Sequence, residues 1–511
     1  MTPPPTAAGT SLGTHPVATP AQHAQELAAL ELVRHPVVRA AHAAVADTWL
    51  GRAKASPAML DRFEAAFEEV MFSAAMWSSN SDPLHPQVTC ITRLAHPVDG
   101  HRVPGSRWGI DNPDTVYRVV PISGDERYEL RGRVGEGRMT ENYFTLWNQH
   151  MGTVDVLDGR RMHVEPDGSF VVTIDSDPAG DRPNHIRSDA TAHELYVRDV
   201  LLDWERDDPN SFEVVRLGPA PSRPRWSLDE QAERTAAMMA HFADFTGKLS
   251  YGTYKLPPNH FSLAWSADHT GAMRSQVYVA GRFDLEPGQA FVIDVSDGGA
   301  EYFTVPLSNI WGITLEIVDR TGSLNRAQSE PNPDGTWTYV LSPEDPGVHN
   351  WLDTDGLREG ILTLRMAEFP EGGPRPDLAA TGRVVDLADL DRGFGCLRAQ
   401  QESQRIAEDM RHCQRLGAQQ FGELGLAVGG ERALQVAALE IAEAGRVREG
   451  LAHCERDGEG AAQGRHDAGL HRRHQRVVAL CRLDPRQRLF NILAPFQRRI
   501  AREIQHRGIV G

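Results

Sequence analysis

Lysine is almost missing from this chain: Lys54, Lys248 and Lys255 stand against fifty arginines. So uniform a bias reflects a GC-rich genome rather than a demand for guanidinium. Cysteine is scarce as well, at five in 511 residues. With no export signal, that count excludes a disulfide framework and predicts a reducing cytoplasm. No run of about eighteen apolar residues occurs, which excludes a membrane-spanning helix. Residues 1–20 are rich in Pro, Ala and Thr but lack the basic start and apolar core of a signal peptide, so they read as a flexible leader. A cytoplasmic protein is the expectation.

Positive charge is also short, and unevenly placed. The formal net charge is −17. Residues 394–511 carry nineteen Arg against fourteen acids, a net of +5, which leaves −22 for residues 1–393. A body this acidic repels a phosphate backbone and excludes nucleic acid as its partner. Neutral or cationic small molecules suit it better. The sequence specifies no cofactor and no oligomeric state.

Helical patterning covers residues 21–84. Ser56-Pro57 supplies a cap and a first-turn proline. Leu60, Phe63, Phe67, Val70 and Met71 share one face, which predicts a helix docked on the body. A first strand-rich unit is placed at 85–225: from Asp114 the pattern changes to short β-branched or aromatic runs at 116–122, 127–133, 142–148, 153–157, 169–175 and 212–217. The run 195–202 fits strand or helix. Ser227 and Glu230 form a capping box that opens a linking helix over 226–252, with Gly247 as its terminator. Runs at 275–285, 290–295, 302–307, 310–318, 336–342 and 360–366 place a second strand-rich unit at 253–375. Pro333-Asp334-Gly335 repeats the turn chemistry of Pro166-Asp167-Gly168. Strands, helix, strands predicts a mainly β protein: two related antiparallel β-sandwich or jelly-roll-like units with N-terminal helices. No close internal sequence repeat is evident.

Residues 376–511 differ. From about 393 the chain has no Lys, Thr, Trp or Tyr, yet holds Cys396, Cys413, Cys454 and Cys481. Two readings stand: an irregular appendage with weak helices at 402–416, 431–449 and 495–504, or translation of a GC-rich gene out of frame. An uninterrupted, re-sequenced reading frame around the codon for Asp391 would remove the second.

Three phrases carry a resemblance. Asp111-Asn-Pro-Asp-Thr-Val-Tyr-Arg118 opens the first unit, and Gly322-Ser-Leu-Asn-Arg-Ala-Gln328 lies in the second. Asp345-Pro-Gly-Val-His-Asn-Trp-Leu-Asp-Thr354 leads into Gly360-Ile-Leu-Thr-Leu-Arg365. Over residues 85–370 the chain resembles the bacterial domain of unknown function 1214 family, often found beside its companion domain 1254. The resemblance implies β-sandwich, jelly-roll-like domains; it implies no activity and no catalytic residues.

Two polar clusters are candidate sites. Asp111, Asn112, Asp114 and Arg118 crowd one strand entrance, where two carboxylates and a guanidinium could supply acid, base and clamp. The structural alternative is an Asx-turn with an ion pair. Asn350, Trp351, Asp353 and Asp355 place carboxylates beside an aromatic face suited to a sugar ring; the alternative is a polar loop anchored by a buried Trp. Asp111, Asp114, Asp353 and Arg118 are thus candidate catalytic residues, with Asn112, Trp351, Asn350, Arg365 and Asn325 as candidate substrate ligands. If both clusters share a cleft, paired carboxylates fit a lyase or hydrolase acting on a neutral polyol. The competing class is a noncatalytic β-sandwich that binds a ligand or a protein.

Other motifs dissolve on inspection. His150, His185, His193 and His349 lack metal-ligand spacing, and no metal is expected. Asp175-Ser-Asp-Pro-Ala-Gly-Asp181 imitates a calcium loop without its bidentate acid and reads as an acidic turn. Gly9-Thr-Ser-Leu-Gly13 has no strand before it to build a nucleophile elbow. Gly458-Glu-Gly460 lacks the third glycine of a dinucleotide fingerprint.

Overall fold

The computed structural model describes residues 16–137, 141–265, 276–371 and 373–390. The leader's first fifteen residues and everything after 390, including both readings of the tail, lie outside the described residues.

Four helices come first: α1 (Pro20–Leu32), α2 (Pro36–Arg52), α3 (Pro57–Asp61) and α4 (Phe63–Ser79). The first three begin with proline behind a side-chain cap from Thr19, His35 and Ser56. Each cap satisfies a free N–H, and proline there loses no hydrogen bond. Phe63, Phe67, Val70 and Met71 are buried as their spacing predicts, whereas Leu60 is exposed.

The first β unit contains β1 (Thr89–Cys90), β2 (His96–Val98), β3 (His101–Val103), β4 (Thr115–Pro121), β5 (Arg127–Arg133), β6 (Glu141–Asn148), β7 (Thr153–Asp158), β8 (Ser169–Asp175), β9 (His185–Arg187), β10 (Ala192–Val200) and β11 (Ser211–Leu217). One sheet runs β1-β4-β10-β6-β7, its mate β11-β5-β8-β9, and β2 and β3 form a small hairpin. Val120, Phe144, Leu146 and Leu195 of the first sheet meet Leu130, Phe170 and Val172 of the second in one core. The run 195–202 is therefore mostly strand.

Helix α5 (Leu228–Tyr254) links the units, opened by the Ser227–Glu230 capping box. Gly247 does not end it. The helix continues because Gly247 lies buried against Trp49 and Tyr251, where the absent side chain permits close packing.

The second unit contains β12 (His260–Trp265), β13 (Val277–Asp284), β14 (Gln289–Ser296), β15 (Tyr302–Ser308), β16 (Ser323–Asn325), β17 (Trp337–Ser342), β18 (Trp351–Asp353), β19 (Glu359–Ala367) and β20 (Ala379–Asp386). Its sheets run β12-β13-β19-β15-β16 and β18-β17-β14-β20. The unit extends past residue 375, since β20 pairs with β14 along its whole length. Residues 310–318 are not a strand. The Asn309 side chain accepts from the amides of Trp311 and Ile313, and Gly312 turns the chain at φ +77°. A methyl on Gly312 would meet Thr246 Cγ2 at 2.6 Å and Ser250 Oγ at 2.9 Å. Gly312→Ala is expected to cost about 1–3 kcal/mol, read as a lower urea midpoint.

The chain is mainly β, with N-terminal helices on a β-sandwich-like body. The two units repeat one plan. β4–β11 and β13–β20 occupy matching places in chain order and in both sheets, and β8–β9 and β17–β18 are parallel pairs at corresponding positions. Even the 3-10 turns at Gly159–Arg161 and Arg326–Gln328 correspond, capped by Asp158 and Asn325. Among the described residues no helix is long and apolar enough to cross a membrane.

Candidate functional site

The Asp111–Arg118 phrase splits. Successive strand residues face opposite sides, so Tyr117 points outward while Arg118 enters the sandwich. There Arg118 pairs with Asp199 at 2.7 Å, donates to the Asn210 carbonyl at 2.9 Å and lies over the Phe212 ring. It touches neither Asp111 nor Asp114, which corrects the expectation of one acid–base cluster.

Asp114 instead fastens the two units together. Its carboxylate accepts from Tyr302 Oη at 3.0 Å, Asn325 Nδ2 at 2.9 Å and Trp204 Nε1 at 3.5 Å. Asn112 Nδ2 donates to the same Tyr302 hydroxyl, and the Asn112 amide donates to Tyr117 Oη. Asn325 also donates to the Leu202 carbonyl and accepts from Ala327 and Gln328 amides, so both its polar atoms are engaged. Asp111 accepts from the Thr314 amide, and Arg365 donates to the Ile110 carbonyl. Burial pushes both carboxyls upward, opposed by Arg107 at Asp111 and by hydrogen-bond donors at Asp114. Asp111, Asn112, Asp114, Asn325 and Arg365 thus converge on one buried seam.

The Asn350–Asp355 phrase lies elsewhere, beside the outer sheet of the second unit. Asp353 accepts from Arg320 at 2.8 Å and from the Asp355 amide; Asp355 pairs with Arg62 behind α3. Trp351 Nε1 donates to the Ser342 carbonyl. Asn350 bonds the Glu330 and Thr338 carbonyls and accepts from the Glu330 amide. Asn184 makes the equivalent three bonds in the first unit, to His163 and Val171. A bond pattern that recurs at matching positions belongs to the sandwich plan, so Asn350 is structural. The Asp175–Asp181 turn is closed by Arg182, which pairs with Asp175 at 2.6 Å.

A cleft of about 470 Å³ opens where the end of β19 meets the first unit. Asn142 and Asn210 lie in its floor; Asp158, Arg160, Arg161 and Glu368 contribute to its walls. The buried Arg118–Asp199 pair sets the floor: Asp199 accepts from Asn142 Nδ2 and from the Asn210 amide, and Arg118 holds the Asn210 carbonyl. On the wall Arg160 pairs with Glu368, and Arg161 with Asp158 at 3.2 Å. Burial raises the Glu368 carboxyl, and the nearby Asp158 and Glu301 carboxylates add to the rise, against the pull of Arg160. An acid that holds its proton more tightly than usual, beside a second carboxyl, suits proton transfer. Among the described residues the lining contains no tryptophan, unlike the expected Trp-lined cleft.

Sequence reading found Arg118 but missed Asp199, Asn142, Asn210 and Glu368. One signal was available: Asp199 shares a strand face with the apolar Leu195 and Val197, and a buried acid requires a partner.

No family model matches the chain, and no curated protein matches it. Among solved structures, an uncharacterised protein from Burkholderia cenocepacia superposes with a TM-score of 0.60 at 22% identity, covering 71% of this chain and 100% of that one. A Vibrio parahaemolyticus protein gives 0.36 at 12% identity, over 54% of this chain and 90% of its own, too remote to bear on the argument. The chain shares its β-sandwich-like fold with the Burkholderia cenocepacia protein.

Proposed function

We propose that the cleft binds a small neutral polar molecule, sugar- or polyol-like, and that Glu368 and Asp158 serve it as general acid and base. The carrying observation is the raised carboxyl of Glu368 beside Asp158, above a floor of two asparagines fixed by the Arg118–Asp199 pair. Hydroxyl groups need acceptors and donors together, and carboxyls, guanidiniums and amides offer both. The carboxyl pair fits hydrolysis or elimination at a carbon–oxygen bond, with Glu368 donating a proton to the leaving oxygen.

A screen of sugars and polyols against the full chain, by thermal shift and then calorimetry, tests this. For a compound that binds and turns over, Glu368→Gln should reduce kcat by about 10²–10⁴-fold while changing affinity little. Binding that withstands both Glu368→Ala and Asp158→Ala would place the ligand elsewhere and end the proposal. Binding without turnover would leave the noncatalytic alternative.

A further inference from the structure

Strand pairing fixes the register of the repeat: Arg198 on β10 stands opposite Tyr117, as Arg365 on β19 stands opposite Tyr278. In that register the polar cleft has a counterpart. The first cleft lies between the β5–β6 loop, the 3-10 turn at 159–161 and the β10–β11 loop. A second cleft, of about 500 Å³, lies between the matching β14–β15 loop, the 3-10 turn at 326–328 and the β19–β20 loop. Its walls carry Asp297, Glu301, Arg326 and Arg375. Carboxyls and guanidiniums again stand together, with Arg326 at 3.2 Å and Arg375 at 3.7 Å from Asp297.

The two clefts adjoin. Arg160, in the wall of the first, pairs with Glu368 and also, at 3.5 Å, with Glu301 in the wall of the second. The Glu301 amide donates to the Glu368 carbonyl at 3.0 Å. Glu368 therefore stands at the boundary between the clefts. Their floors differ. The places of Arg118, Asn142 and Asp199 are taken in the second unit by Val279, Phe303 and Met366, all buried. The polar floor is thus peculiar to the first cleft, and the second offers its walls alone.

We infer that the two clefts are neighbouring subsites for linked sugar units, so that the ligand is a disaccharide or longer oligosaccharide rather than a single sugar. The inference rests on the polyol reading of the first cleft. A repeated fold presents like walls twice, side by side, and a ligand built of like units can fill both. Carboxyls accept from hydroxyls and guanidiniums donate to them, in the second cleft as in the first. Linking two units makes the second contact intramolecular, so the dimer binds more tightly than either unit alone. The bond that joins the units then lies beside Glu368, the proposed proton donor.

Three series are the probes, titrated calorimetrically into the full chain: xylose with xylobiose, glucose with cellobiose, and glucose with maltose. In at least one series the dimer should bind about tenfold or more tighter than its monomer, at one dimer per chain. Arg375→Gln and Glu301→Gln change exposed side chains of the second cleft, so both variants should fold. Each should remove most of the dimer's advantage. Monomers that bind as tightly as their dimers, or folded variants that keep the full advantage, would overturn the inference and leave the polyol reading standing. If no member of any series binds, both readings fall together.

Discussion

Replacing Asp199 with alanine is expected to lower stability by about 3–5 kcal/mol, measured as urea denaturation of the full chain at neutral pH. Asp199 and Arg118 are almost entirely buried, with 0% and 3% side-chain exposure. Removing the acid strands a guanidinium in the sandwich and releases two further donors, the Asn210 amide and Asn142 Nδ2. The penalty comes from stranding the charge rather than from the worth of the pair. The double variant Arg118→Met/Asp199→Leu should therefore recover most of the loss. An Asp199→Ala protein within about 1 kcal/mol of the parent would show that water reaches the pair.

Glu194 should shape the pH dependence of stability. Its carboxyl is buried on the outward face of β10, accepting from Trp77 Nε1 at 2.6 Å. Trp77 and Trp147 both stack on Tyr196, and Arg198 follows on the same strand face. Burial raises the Glu194 pKa from 4.5 to about 7, opposed by the Trp77 hydrogen bond. The unfolded chain releases this proton near 4.5 while the folded protein retains it. The stability tied to the neutral carboxyl is complete below 4.5 and is lost as pH rises through about 7. The difference of two and a half units corresponds to about 3 kcal/mol. Glu194→Gln keeps an acceptor for Trp77 and removes the charge. It should match the parent at pH 4 and exceed it by up to about 3 kcal/mol at pH 8. Parallel stability curves for the two proteins across that range would refute the assignment.

Local signals gave the elements. The capping box at Ser227, proline behind Ser56 and the β-branched and aromatic run of β4 each act within a few residues, and all were readable, whereas the run of β10 fitted strand or helix. What failed were signals decided by tertiary packing. Gly247 resembles a helix end only when Trp49 is out of view, and 310–318 resembles a strand only when the Asn309 side chain is ignored. The repeat left one readable trace, the two Pro-Asp-Gly turns 167 residues apart; its stronger markers, Asn184 with Asn350 and Arg198 with Arg365, emerge only once strands are paired. The seam around Asp114 was partly legible because Asp111, Asn112 and Asp114 adjoin. The cleft was not, because Asn142, Asn210 and Glu368 come from three remote strand ends.

Trp311 packs its ring against Trp49 and Phe63 and donates from Nε1 to the Met59 carbonyl. The opening helices therefore find part of their cover in the second unit, some 250 residues downstream. At elongation rates of about 5–20 residues per second, roughly 12–50 s pass between the emergence of Phe63 and that of Trp311 from the ribosome. During that interval the nascent chain carries an aromatic surface that its own sequence cannot yet shelter, the kind of exposure that makes a partly synthesised chain prone to aggregate.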